Sequence, residues 1–346
     1  MPNARASHLT RRGLLAAGGA LGLGAALAAC GGGDDTESTG KSEEKAANDT
    51  GAWSFKDDRG RTAEQKSVPK NIVAFTGTAA ALYDYGVEVK GVFGPTKTPE
   101  GKPDVQAGDL NVDKLEILGN VWGEFNVEKY AALAPELLVT DMWTQDSLWY
   151  VPDESKDKIL GLAPSVALWA AGTTMPKALA RRAELAESLG ADLKDKKVAD
   201  AKARFEAAAE RLRRAAKSKP EITVLIGSGS ENLFYVSVPK MSADTLYFQE
   251  LGLKFVEPKP NEQGFFEELS WENVDTYKAD VIMLDNRTGT LQDADLKKGK
   301  PTWAGLPAVK AGQVVPRVTE PVYSYAKCAP ILEDLAEAIE NAKKVS

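Results

Sequence analysis

From Trp53 onward the chain alternates short apolar runs of strand length with amphipathic runs of helical spacing, the pattern of an α/β protein. In the first half it predicts a strand over Asn71–Phe75 ending near Gly77, a helix over Ala79–Tyr85 stopped by Gly86, and a strand over Val89–Phe93. A helix over Val127–Leu133 and strands over Leu137–Thr140 and Ser165–Leu168 follow. The second half repeats the theme. It predicts a strand over Ile222–Ile226, a helix over Ala243–Leu251 ending at Gly252, and strands over Lys254–Glu257 and Val281–Leu284. A helix over Trp271–Tyr277 precedes the last of these, and Ile331–Lys344 reads as a closing amphipathic helix.

The two halves carry an ungapped internal match. Asn126–Trp143 lies over Ser270–Arg287 at one constant offset, so that Glu128 meets Glu272, Glu136 meets Asp280 and Asp141 meets Asp285. Any two helix–strand units share some pattern, but charged residues at shared offsets favour two related lobes. Between them, Lys194–Lys217 places Val198, Ala201, Phe205, Ala208, Leu212 and Ala215 three and four apart, with no glycine or proline inside. Its Ala, Lys, Glu and Arg favour helix, and a helix of that length reaches on the order of 35 Å. Pro220 ends it. The chain therefore reads as two Rossmann-like lobes, 53–193 and 219–346, joined by one long α-helix over 194–218. A single packed helix is a stiff joint, which implies small lobe rocking rather than wide closure.

The first 52 residues break the pattern. Arg5, Arg11 and Arg12 form a basic region, Gly13–Ala29 is an apolar Leu/Ala/Gly run, and Cys30 follows. The run is at the short edge for a membrane span and rich in glycine, so residues 1–29 read as a cleaved signal peptide. Leu27-Ala28-Ala29-Cys30 resembles the lipobox of bacterial lipoproteins, whose cysteine takes a diacylglycerol at the new N-terminus. The blander reading is a secretory peptide with an incidental cysteine. Thr10-Arg11-Arg12-Gly13-Leu14-Leu15 resembles a twin-arginine signal with Leu where Phe is usual, and the export route stays open. Residues 30–52 are polar and small and read as a flexible tether. An acyl anchor would hold the protein on the outer face of the cell membrane without spanning it.

Composition narrows the chemistry. Of the 346 residues 43% are hydrophobic and 27% charged, an ordinary globular balance. Residues 1–29 hold three arginines and no acid, so the formal charge of −7 becomes −10 without them. That argues against a nucleic-acid partner. His8, the one histidine, leaves with the same segment. What remains has no Ser-His-Asp triad, no histidine for zinc and no proximal histidine for haem. No phosphate-binding loop or paired-cysteine metal spacing occurs. Gly227-Ser228-Gly229-Ser230 is not a nucleophile elbow and reads as a strand-to-loop turn. Cys30 and Cys328 leave no intrachain disulfide once Cys30 is acylated.

Several short stretches, in order and spacing, carry a family likeness. They are Asp57-Asp58-Arg59-Gly60-Arg61 before Pro69–Phe75, Ala81–Val87, Asn126–Lys129 with Ala134–Val139, Ser270–Asn273, and Trp303 with Leu306–Val314. On these, Trp53–Lys344 resembles the siderophore-binding members of the ABC-importer substrate-binding proteins with a long linking helix, the ferrichrome and ferric-citrate group. Within it the chain is most similar to the desferrioxamine-binding lipoproteins of Gram-positive bacteria. The resemblance implies the helical-backbone periplasmic-binding-protein fold, a monomer, no enzymatic activity, and a ligand in the cleft between the lobes.

Open α/β sheets bind ligands at their strand ends on general grounds. The loops there carry Thr76-Gly77-Thr78, Trp122, Trp143–Tyr150, Trp169, Ser228–Tyr235, Arg287 and Tyr323–Lys327, rich in rings and poor in charge. That mix suits a neutral or singly charged, partly apolar ligand. A hexadentate siderophore fills the coordination sphere of ferric iron itself. No protein metal ligand and no bound cofactor is then expected, and iron enters as its complex. Arg287 is the candidate donor to the oxygens around the metal; a plain surface arginine paired with Asp285 or Asp293 is the alternative. Trp143 holds the equivalent place in the first lobe. Trp122, Trp149, Trp169, Tyr235, Tyr323 and Thr76 complete the candidate ligand set, although single rings are more often core.

A charge of −10 favours a ferric trihydroxamate of the ferrioxamine type over strongly anionic catecholates. The resemblance implies that one acid on each lobe pairs with the importer permease, at Glu128 and Glu272. Helix-start carboxylates are also favoured by the dipole alone. The same fold binding cobalamin, haem through a tyrosine, or ferric citrate remains an alternative. So does a surface enzyme or a sensor working through carboxylates.

Overall fold

The computed structural model describes residues 51–346 apart from Gln263. The predicted signal peptide with His8, Cys30 and the tether as far as Thr50 lie outside the described residues. The described chain opens with a hairpin that periodicity did not reveal, β1 (Trp53–Lys56) antiparallel to β2 (Thr62–Gln65). Its turn is the Asp57–Arg61 motif, and Gly60 takes the left-handed φ of 83° that the turn requires. Asp57 accepts the Arg59 and Arg61 backbone N–H groups, each at 3.0 Å. It also accepts from Ala167 N (3.1 Å), while Asp58 accepts from Trp169 N (2.9 Å). The motif thus caps the open edge of the first lobe's sheet.

That sheet is wholly parallel, in the order β5-β4-β3-β6-β7. It is built from β3 (Ile72–Phe75), β4 (Gly91–Phe93), β5 (Glu116–Ile117), β6 (Leu137–Met142) and β7 (Ser165–Trp169). Helices α1 (Thr76–Asp84), α2 (Val127–Ala132), α3 (Lys156–Leu160) and α4 (Met175–Ser188) connect or follow the strands. β3 and β6 are buried along their whole length, which is why they read as unbroken apolar runs rather than alternations. α1 begins directly at Thr76, so the predicted Thr76–Thr78 loop is the first helical turn.

The long helix is α5 (Lys196–Ser218). Phe205, Ala208, Ala209, Leu212, Ala215 and Ala216 pack into one cluster with second-lobe residues such as Val224, Phe248 and Leu332. That cluster also takes in Ala170, Met175, Ala178 and Leu179 of the first lobe, whereas Val198 joins the first lobe's own core. α5 is therefore a wall of the second lobe as much as a bridge.

The second lobe contains β8 (Thr223–Gly229), β9 (Leu233–Ser237), α6 (Ala243–Glu250), β10 (Lys254–Phe255), β11 (Phe266–Ser270) and β12 (Val281–Asp285). α7 (Asp293–Gly299), α8 (Pro301–Gly305), α9 (Pro307–Lys310), β13 (Val314–Arg317) and α10 (Tyr325–Asn341) complete it. The parallel path β10-β8-β12-β13 repeats the order β4-β3-β6-β7 of the first lobe. The antiparallel strands β9 and β11 are an addition. Gly227–Gly229, read from sequence as a turn, continues β8, and Gly227 lies under the Phe234 ring with no room for a Cβ. On β13, the Gln313 and Arg317 carbonyls accept from β12, so alternation puts Pro316 on the outer edge. A proline there presents no N–H to a passing strand.

Two predicted helices change extent. Trp271–Tyr277 is only a single tight turn, Trp271–Asn273. Asn, Val, Asp and Thr at 273–276 are weak helix formers, and the Thr276 hydroxyl bonds the Asn273 carbonyl at 2.6 Å instead. The closing helix starts at Tyr325, with the Ser324 hydroxyl accepting from Lys327 N, and runs through Pro330 to Asn341. α10 lies along α5, where Arg204 pairs with Glu333 and Arg211 with Glu340.

The internal match has a physical meaning. Glu136 donates its N–H to the Asn71 carbonyl and takes the Asn71 N–H on its carboxylate, both at 2.9 Å. Asp280 does the same with Thr223, at 2.8 and 2.9 Å. Each acid pins the start of one central strand to its neighbour and so fixes register. Burial alone would raise the Asp280 carboxyl, but donors from Val345, Thr223, Lys344 and Ser346 hold it well below the usual carboxylate range. A depressed value contributes stability above the unfolded value near 3.8 that is lost as pH falls. Asp280→Asn is expected to lose about 1–3 kcal/mol near neutral pH. It should then lose less than the wild type between about pH 5 and pH 2 in urea unfolding; equal acid sensitivity would contradict the assignment.

Candidate functional site

The carboxyl ends of the parallel strands in both lobes open on one cavity of about 560 Å³, within the usual range for small-molecule sites. The first lobe contributes Trp122, Trp143 and Trp149 with Leu148 and Val151; the second contributes Phe265 and Phe266 with Val238 and Met241. A larger groove of about 680 Å³ runs between β13 and α10 and has no aromatic lining.

The rings are held by short local devices. Thr140 at the end of β6 donates its hydroxyl to the Trp149 carbonyl (2.7 Å), and Trp149 N donates to the Asp141 carbonyl (3.0 Å). Tyr150 takes a left-handed φ of 60° directly after Trp149. Trp122 is 63% exposed and sits edge-on to Trp149 (4.7 Å) and Tyr150 (5.1 Å). Its loop is pinned by Asn120, which accepts from Thr96 N and Lys97 N and donates to the Lys97 carbonyl.

The polar centre is built around Glu320, 8% exposed and at a left-handed φ of 55°. It accepts from Trp149 Nε1 (3.2 Å) and Gln106 Nε2 (3.4 Å) of the first lobe and from Arg287 of the second. Arg287 also donates to Asp285 through Nε (3.1 Å) and Nη2 (2.7 Å). Burial pushes the Glu320 carboxyl up, with Arg287 pulling against it. Burial would weaken the proton on Arg287, but Glu320 and Asp285 outweigh it and the guanidinium is held more firmly charged. Burial, and after it Glu320, pushes the Tyr150 phenol up to about 12. Arg317, also lining the cavity, is held by both oxygens of Asp244 at 3.0 Å. Thr288 donates to Asp104 across the lobes at 2.7 Å.

Of the residues singled out from sequence, Arg287, Trp143, Trp122 and Trp149 line the cavity. Four others do not. Thr76 is fully buried, with its hydroxyl on the Phe93 carbonyl and Thr96. Trp169 ends β7 and packs in the first-lobe core. Tyr235 lies mid-strand in β9 beside Phe266. Tyr323 is buried between the lobes, with its hydroxyl toward the Ala170 carbonyl and its ring under Arg182. Glu128 and Glu272 are exposed at the first turns that follow Asn126 and Ser270, and neither makes an ion pair among the described residues. Backbone and Ser270 donors lower the Glu272 carboxyl below its ordinary range. Glu320, Arg317, Phe265 and Phe266 were missed. Glu320 follows β13 and precedes Pro321, a strand-end position that could have flagged it. Phe265 precedes and Phe266 opens β11, a strand that the periodicity does not predict.

Residues 72–316 match the family described as periplasmic binding protein. The chain is similar to DesE, a ferric-siderophore receptor protein from Streptomyces coelicolor. The two are 62% identical, the match covers 85% of this chain and 100% of DesE, and the TM-score is 0.82. The siderophore periplasmic binding protein from the fuscachelin gene cluster of Thermobifida fusca shares the fold at 23% identity, over 79% of this chain and 96% of its own, with a TM-score of 0.55. Staphylococcus aureus SirA complexed with staphyloferrin B does so at 20% identity, over 84% and 99%, with a TM-score of 0.58. No curated protein matches the chain.

Two of the indole N–H groups differ in a testable way. Trp149 Nε1 has Glu320 as acceptor, whereas Trp143 Nε1 is buried without a partner. Trp149→Phe is expected to destabilise by about 1 kcal/mol more than Trp143→Phe in denaturant unfolding, because only the former loses a hydrogen bond to a charged group. Equal losses would mean that the Trp149–Glu320 bond contributes nothing.

Proposed function

The chain belongs to the periplasmic binding protein family, and from that premise we propose that it captures a ferric siderophore outside the cell and hands it to an ABC importer. The carrying observation is the ring-lined cavity between two lobes, in a chain 62% identical to a ferric-siderophore receptor protein. The ligand is a ferric trihydroxamate of the ferrioxamine type. Trp122, Trp143 and Trp149 pack on its apolar spacers, and Arg287 faces the oxygens around the metal. Glu320 and Asp285 are engaged by Arg287, and among the described residues no three His, Cys, Asp or Glu side chains converge as metal ligands. That donor set suits iron already wrapped by its chelator. Thr76, Trp169, Tyr235 and Tyr323 support the walls rather than touch the ligand. The protein acts as a monomeric carrier without catalysis. Export through the leader and acylation of Cys30 keep it at the outer face of the membrane, and Glu128 and Glu272 dock one lobe each on the permease.

Titrating the protein with a panel of ferric siderophores while following tryptophan fluorescence tests the ligand. Saturable quenching by a ferric trihydroxamate is expected, and silence toward every ferric siderophore would end the reading. Reversing both docking charges, Glu128→Arg with Glu272→Arg, is expected to cut cellular iron uptake at least about tenfold with siderophore affinity retained. Normal uptake by that double variant would remove the docking assignment.

A further inference from the structure

Every arginine that reaches the cavity is already matched by acid. Arg317 is held by Asp244, and both are buried. Arg287 lies between Asp285 and Glu320. Lys156 and Asp153 also line the cavity. The lining and its ion-pair partners together hold three cations against four carboxylates.

Glu320 is the carboxylate that this balance turns on. Asp285, two residues away on the same strand end, takes Nε and Nη2 of Arg287 and leaves Nη1 to Glu320. Glu320 arrives as a second acid. It occupies left-handed backbone, a strained conformation for a non-glycine residue. It is buried, and it is held by Trp149 and Gln106 from the opposite lobe. A carboxylate kept in place against strain and desolvation, by donors from both lobes, is built into the site. Its effect is on the Arg287 side chain, which is 31% exposed to the cavity and would otherwise offer Nη1 to an incoming anion. A buried fork of donors is a strong anion receptor when unmatched.

We propose that Glu320 is a specificity-determining residue: by holding Arg287 Nη1 it denies the cavity a free guanidinium, and so disfavours ferric complexes of high negative charge, such as tris-catecholates, relative to neutral or cationic tris-hydroxamates. The inference rests on the siderophore reading above and sharpens it to a charge class. Glutamine at this position keeps the shape and an acceptor oxygen for Trp149 and Gln106 while removing the charge.

The test compares affinities for a ferric tris-hydroxamate and a ferric tris-catecholate, in the wild type and in Glu320→Gln, by fluorescence titration at low and high salt. In E320Q the ratio of affinities is expected to move at least tenfold toward the catecholate, with catecholate binding now weakened by salt. Adding Arg287→Gln to E320Q should abolish that gain. A ratio unchanged in E320Q overturns the proposal. Should E320Q not fold, the wild type decides: preference for the hydroxamate, with catecholate binding no tighter at low salt, supports it, and preference for the catecholate overturns it. A wild type that binds neither complex overturns the proposed function itself, a distinct outcome.

Discussion

The cleft exists because one apolar seam couples the two sheets. Parallel sheets need both faces covered, and α5 supplies Phe205, Leu212 and a run of alanines to the second lobe's inner face while α10 packs beside it. The same cluster admits Met175 and Leu179 from the start of α4, so the first lobe is packed against the second rather than hung from it. The surface pairs Arg204–Glu333 and Arg211–Glu340 line this seam, but exposed pairs contribute only about 0–1 kcal/mol each. Apolar burial does most of the joining. A joint shared by two helices and a common core resists bending. The segments that carry the aromatic walls are thereby tied to one packed core.

Within that fixed frame the cavity combines large apolar surface with cancelled charge. Buried arginines are expensive unless paired, and here Arg182, Arg287 and Arg317 each meet a carboxylate. The rings carry no charge to be paired and line the same cavity. Tyr150 and Glu320 both take left-handed backbone, one from each lobe, Glu320 lining the cavity and Tyr150 following its Trp149. The surrounding fold overdetermines these conformations through Thr140, Trp149 and Gln106.

Much of this architecture was legible in the sequence because it rests on long or repeated signals. The long helix, the central strands and the lobe relationship came from periodicity and from charges at shared offsets. The internal match proved to be a pair of register clamps, since Glu136 and Asp280 bond the neighbouring strand in the same two-point manner. What escaped lacked a periodic signature. The β9–β11 strands are short and flanked by glycine and proline, so Phe265 and Phe266 could not be assigned to the cleft. Trp169 ends β7 and Tyr323 lies in the segment between β13 and α10, yet Trp169 packs against the first-lobe core and Tyr323 in the seam between lobes. Sequence locates a strand end to within a residue or two, but which way the next side chain points depends on packing that is decided elsewhere.

The lobes are alike in frame and unlike where it matters, and the difference can be traced to one substitution of partners. Asp141 and Asp285 hold corresponding places at the ends of β6 and β12. In the second lobe the partner of the acid is Arg287, two residues further along, which brings a guanidinium to the cavity wall. In the first lobe the acid is satisfied from behind, by Arg182 of α4 at 2.6 Å and by the Thr78 hydroxyl. Arg182 is fully buried and its guanidinium lies over the Tyr323 ring, so it contributes to the seam and not to the cavity. Because Asp141 needs nothing from position 143, that position is released from charge pairing. It holds Trp143, a ring, at the point where its counterpart presents an arginine. Corresponding strand ends thus bring a ring from the first lobe and an arginine from the second to the lining of one cavity.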